Sequence, residues 1–99
     1  MDTIDRLTAD DFAPYVGKRF HPDGTDFELT LVRIDQPGFP GWAATMRKPF
    51  SLILCGPHGR VLPEGMYRIV IEGGPSLALY MMPIFTLSRD HQDYQIAFN

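Results

Sequence analysis

PFSLILCGPHGRVLPEGMYRIVIEGGPSLALYMMPIF, residues 49–85, is the stretch whose reading decides the fold. It divides into three apolar runs separated by two Gly/Pro punctuations, the pattern of an antiparallel meander. Phe50, Leu52 and Leu54 alternate on the first run, Tyr67, Ile69 and Ile71 on the second, and Leu77, Leu79 and Met81 on the third. A period of two puts each set on one side of a strand, so each run has a definite core face. The third run is apolar on its other side as well, through Ala78, Tyr80 and Met82. A strand bare to water on that side is not expected. Either the N-terminal helix and the long loop cover it, or another subunit does.

Upstream, residues 26–35, DFELTLVRID, form a further strand with Phe27, Leu29 and Leu31 on one face. The alternation changes phase at Leu31-Val32, which predicts a bulge there and a bend suited to a small barrel. Residues 18–21 make a short strand that turns through Pro22-Asp23-Gly24. At the other end Tyr94, Ile96 and Phe98 alternate in a final strand, after a polar connection over residues 88–93. Thr8, with Asp10 and Asp11 behind it, starts a helix, and Gly17 ends it. Pro14 lies inside that span and limits it to about two turns. The fold expected is mainly β, a small antiparallel β-barrel or sandwich of about six strands with one short N-terminal helix, forming a single domain over 1–99.

Composition narrows the function classes. The 99 residues carry a net charge of −3, which opposes the basic stripe that sequence-independent nucleic-acid binding requires. Lys18-Arg19 and Arg47-Lys48 are the densest cationic groupings and read as solvated edges. The opening MDTIDRLTADD has neither the basic nor the apolar region of a signal peptide, and no apolar run has the ~18 residues of a membrane span. One cysteine cannot close an internal disulfide, and a reducing, cytoplasmic setting is expected.

Catalytic patterns are weak. His21, His58 and His91 lie in or beside separate turns with no metal-ligand spacing, so any metal site would have to be assembled wholly by the fold. Ser51 and Ser76 lack the context of a nucleophile elbow. Cys55 could be paired with His58 or His91, yet an apolar strand raises a thiol's pKa and hinders attack. Gly73-Gly74-Pro75 opens no helix, and its proline removes an N–H that a phosphate would use. Asp10-Asp11 is explained by capping, and Asp26 with Glu28 by a solvent face. No enzyme activity, cofactor or metal is expected.

Residues 36–48 break all periodicity and carry Phe39 and Trp42. These rings either fold back to plug the barrel mouth or present an anchor to a partner, with Arg47 beside them.

PFSLILCGP, LPEGMYRI, LYMMPI and YQIAFN together resemble an uncharacterised bacterial domain family of about this length, patterned as PFSLLFRGP, LPQGTYRLEH, LFLVPI and YEAVFN. The opening DFAPYVGKRF followed by FELTLV fits as well, so the resemblance covers nearly the whole chain. Members are often encoded near proteins with phage-tail-collar domains. The resemblance implies a compact β domain that assembles or accompanies a particle-like or secreted structure, with no catalytic residues to transfer. The insert over residues 39–46 departs from the pattern, which raises a binding loop of its own as an alternative.

The leading expectation is a non-enzymatic interaction or assembly module, homo-oligomeric and bound to a protein partner, with Phe39, Trp42, Arg47, Tyr80 and Met82 at the interface. The alternative is a small-ligand-binding barrel in which the same aromatics line a pocket.

Overall fold

The structure, a computed structural model, describes residues 7–36 and 48–98. Six strands close into an antiparallel barrel: β1 (Arg19–Pro22), β2 (Leu29–Asp35), β3 (Phe50–Pro57), β4 (Gly65–Ile71), β5 (Ser76–Pro83) and β6 (His91–Phe98). The order around the barrel is β1-β2-β3-β6-β5-β4. Two well-paired groups face each other. β3 pairs with β6 over eight residues and with β2 over five, while β4 pairs with β5 over six. The closing seams are short, with two pairs each for β1–β2 and β5–β6. Among the described residues no helix is long and apolar enough to cross a membrane.

This order corrects the meander reading. β3 and β4 are not neighbours, because both edges of β3 are already occupied by β2 and β6. Residues 58–64 therefore cross one end of the barrel instead of closing a hairpin, a Greek-key connection. Four contacts hold the crossing down. Leu62 is buried in the core, and its backbone N–H donates to the Tyr94 hydroxyl at 3.0 Å. Arg60 makes a two-pronged ion pair with Asp26 at 2.8 and 3.0 Å, with its guanidinium 4.6 Å from the Phe27 ring centroid. That pairing holds the Asp26 carboxyl below its usual range.

The expected core faces are the observed ones. Leu29, Leu31, Phe50, Leu52, Leu54, Ile69, Ile71, Leu79, Met81, Tyr94, Ile96 and Phe98 all point into a single core cluster. The phase change in β2 is a register irregularity between Leu31 and Arg33. Val32 is the extra residue, so Ile34 returns to the inner side opposite Leu52. Gly56 marks a close approach: a Cβ there would sit 2.5 Å from Leu29 Cδ2 and 3.2 Å from Tyr94 Cε1.

The helix is shorter than two regular turns. α1 (Ala9–Phe12) passes into a 3-10 turn over Ala13–Tyr15, because Pro14 has no N–H to continue the i→i−4 ladder. The Asp11 carboxylate accepts the Thr8 backbone N–H at 2.7 Å, which anchors the first turn. Gly17 leaves the turn with φ +90, a conformation costly for other residues. Its N–H then donates to Leu31 O at 2.7 Å, so the chain enters the barrel directly. α1 covers an open end of the barrel. Phe12 lies 6.0 Å from Phe50 and 5.3 Å from Phe98, whose own rings stack at 4.6 Å. The final strand also begins earlier than its apolar alternation, since His91, Gln92 and Asp93 pair with β3 as part of β6. Backbone pairing does not require an apolar side chain.

Candidate functional site

On β4 and β5 the inner residues Ile69, Ile71, Leu79 and Met81 are buried, and pleating turns their neighbours outward. Met66 stands directly opposite Tyr80, and Met82 opposite Gln95 on β6. Met66 is 65% exposed and Tyr80 45%, while Met82 is half-buried. The Tyr80 hydroxyl donates to the Glu64 carboxylate, and this bond to an anion raises the phenol's pKa. α1 does not cover this face. It sits at the barrel end instead, so among the described residues the second side of β5 keeps a wet aromatic ring.

The segment after β5 also exposes apolar side chains. Phe85 is 85% exposed and Leu87 86%. The residue before them is tied to β6: Ile84 N–H donates to Asp93 O at 3.0 Å, and the Gln92 side-chain amide donates to Ile84 O at 2.9 Å. The Thr86 hydroxyl donates to Ile84 O at 3.1 Å and accepts the Asp93 N–H at 2.9 Å. Two large apolar side chains are thus held out in water by a pinned segment. Of the interface residues expected from sequence, Tyr80 and Met82 lie together here; Phe39, Trp42 and Arg47 lie outside the described residues. Met66, Phe85 and Leu87 are further exposed apolar residues that the sequence reading does not single out. Their available signal was Met66 standing out of phase with Tyr67, Ile69 and Ile71, and the unpaired apolar residues around Thr86.

The barrel interior holds side chains, with Tyr94, Phe20, Leu29 and Leu54 fully buried. A groove of about 270 Å³ lies outside it, lined by Leu7, Asp11, Phe12, Tyr15, Ile71, Pro75 and Leu77.

Two of the three histidines are strand residues. His21 is half-buried in β1, with Nδ1 2.7 Å from Phe27 O. His58 is exposed. His91 comes within 3.2 Å of Asp93 on the outer face of β6, and Cys55 lies across the β3–β6 ladder from Asp93. One ligand atom from each of these three side chains lies within 4.8 Å of the others. Desolvation first, and the Asp93 charge second, push the Cys55 thiol up. Neither effect favours the thiolate that nucleophilic attack uses.

The match to known families comes from the whole barrel: residues 7–98 fit the domain of unknown function DUF6916. The chain belongs to this family. That agrees with the expectation of an uncharacterised domain of about 100 residues, and the match begins at the helix and runs through β6. No curated protein and no solved structure matches the chain.

Proposed function

We propose that this domain is a non-enzymatic protein-interaction module that self-associates through the outer face of β4–β5 and the segment that follows. The observation that carries the reading is the presentation of Phe85 and Leu87, 85% and 86% exposed, on a segment hydrogen-bonded to β6, together with the exposed Met66–Tyr80 pair of β4–β5. Burying a side chain of that size is worth about 1.5–3 kcal/mol, and aromatic and methionine side chains are enriched at interfaces. A second copy brings the same apolar surface, as a two-fold interface requires. The setting is the one that the family resemblance implies, assembly or accompaniment of a phage-tail-like or secreted particle, with the domain itself made in the cytoplasm.

Light scattering across a wide concentration range tests this with Tyr80→Arg and with Phe85→Asp/Leu87→Asp. Arginine at 80 leaves Glu64 a partner, so stability should change by no more than about 0.5 kcal/mol, as for most surface substitutions. The expected result is a wild-type oligomer and monomeric, folded variants. A wild type that is monomeric at every concentration would overturn self-association.

The groove against α1 supports a second reading, a binder of small apolar ligands. Its volume of about 270 Å³ falls just below the usual ~300–1,000 Å³ of ligand sites. An environment-sensitive apolar dye should then bind the monomer, and Leu77→Gln should abolish that binding with β4–β5 pairing intact. Equal dye binding by both proteins would exclude the groove.

A further inference from the structure

From the ladder between β3 and β6 we infer that Cys55, His91 and Asp93 form a three-ligand site for a borderline divalent transition metal, Zn²⁺ foremost, with a fourth position open to water. The register sets the geometry. Cys55 pairs directly with Asp93, and Pro57 with His91, so the three side chains share the outer face of two adjacent strands. Eight continuous pairs between β3 and β6 make this the longest ladder of the barrel, a rigid base for a site.

Three observations point to a cation of this class. The first is the donor set: a thiolate, an imidazole and a carboxylate are the ligand types that zinc takes, and sulfur and nitrogen together disfavour Ca²⁺ and Mg²⁺. With neutral imidazole the set carries two negative charges, matching a divalent ion. The second is spacing. At metal–ligand distances of roughly 2.0–2.3 Å, ligand atoms in a tetrahedral site stand roughly 3.3–3.8 Å apart. His91 Nε2 and Asp93 Oδ1 are already 3.2 Å apart, and all three ligand atoms lie within 4.8 Å, so rotation of the Cys55 side chain closes the set. The third is a backbone fixed under the carboxylate. The Asp93 backbone is bonded on both sides, its N–H to the Thr86 hydroxyl at 2.9 Å and its carbonyl to Ile84 N–H and the Gln92 amide at 3.0 Å. All three side chains are half-buried, dry enough to hold an ion and open enough to admit it. Bound there, the metal would clamp β3 to β6.

Cobalt(II) titration of the full chain, kept reduced, is the deciding experiment. The expected result is a thiolate-to-cobalt charge-transfer band that saturates at a single equivalent and is displaced by Zn²⁺. Cys55→Ser should abolish the band. Cys55→Ser and His91→Gln should each weaken Zn²⁺ by more than the ~10–100-fold that losing an outer-shell partner costs. Zn²⁺ should also slow alkylation of Cys55 in the wild type, a readout that needs no substituted protein. Circular dichroism checks that each variant is folded. Absence of the band, or equal Zn²⁺ affinity in wild type and either variant, would overturn the site.

Discussion

Replacing Phe12 with alanine should destabilise the domain by about 3–5 kcal/mol, the usual cost of emptying a buried aromatic position. The ring is 2% exposed and caps the stacked pair Phe50 and Phe98 from above. Phe12 is on a four-residue helical turn, and such a short segment has no stability apart from its packing. Losing the ring should therefore release α1 and let water onto Phe50 and Phe98. Against a total stability of about 5–15 kcal/mol, this removes a large share. Denaturant unfolding followed by circular dichroism should place the midpoint far below wild type with a similar slope, and a loss under about 1 kcal/mol would show that α1 does not close the barrel.

Tyr94→Phe should cost about 1–3 kcal/mol, because it strands the buried Leu62 N–H that the hydroxyl now accepts. The ring itself stays, so packing against Gly56 and Leu29 is unchanged. The pH dependence separates this from a packing defect. Burial raises the Tyr94 phenol above its ordinary value of 10.0, with the Leu62 N–H opposing. A group whose folded pKa is raised contributes stability that is complete below its unfolded pKa and is lost as pH rises through the folded one. Wild type therefore loses stability above about pH 10 from this phenol, whereas phenylalanine cannot ionise, and the gap between the two proteins should narrow there. A gap that stayed constant to high pH would mean that Tyr94 titrates alike in both states.

The proposed interaction surface is legible in the sequence only in part. Tyr80 and Met82 stood out because β5 is apolar on both sides, and a period of two fixes which residues oppose its core face. Phe85 and Leu87 carry no such signal: they follow Pro83 outside any alternation, and the course of the chain just before them is set by hydrogen bonds of Ile84 to Asp93 and Gln92 from another strand. The Cys55–His91–Asp93 cluster was less visible still. Thirty-six positions separate Cys55 from His91, and only the β3–β6 register joins them.

Alternation and turn chemistry alone determined where the strands lie and their core faces, though not every boundary (β2 starts at Leu29 and not at Asp26, β6 at His91), and likewise the bulge at Leu31–Val32, the shortness of the helix and the hairpin through Gly73, since these depend on backbone geometry within a few residues. Strand order was decided by the tertiary structure. β3 carries good hairpin residues at its end, yet it pairs with β2 and β6, because closing the barrel over one core satisfies both of its edges and leaves residues 58–64 to cross the end. Which apolar side chains stay in water follows from that closure, as does which distant polar ones meet. Both are properties of long-range pairing, which no local pattern encodes.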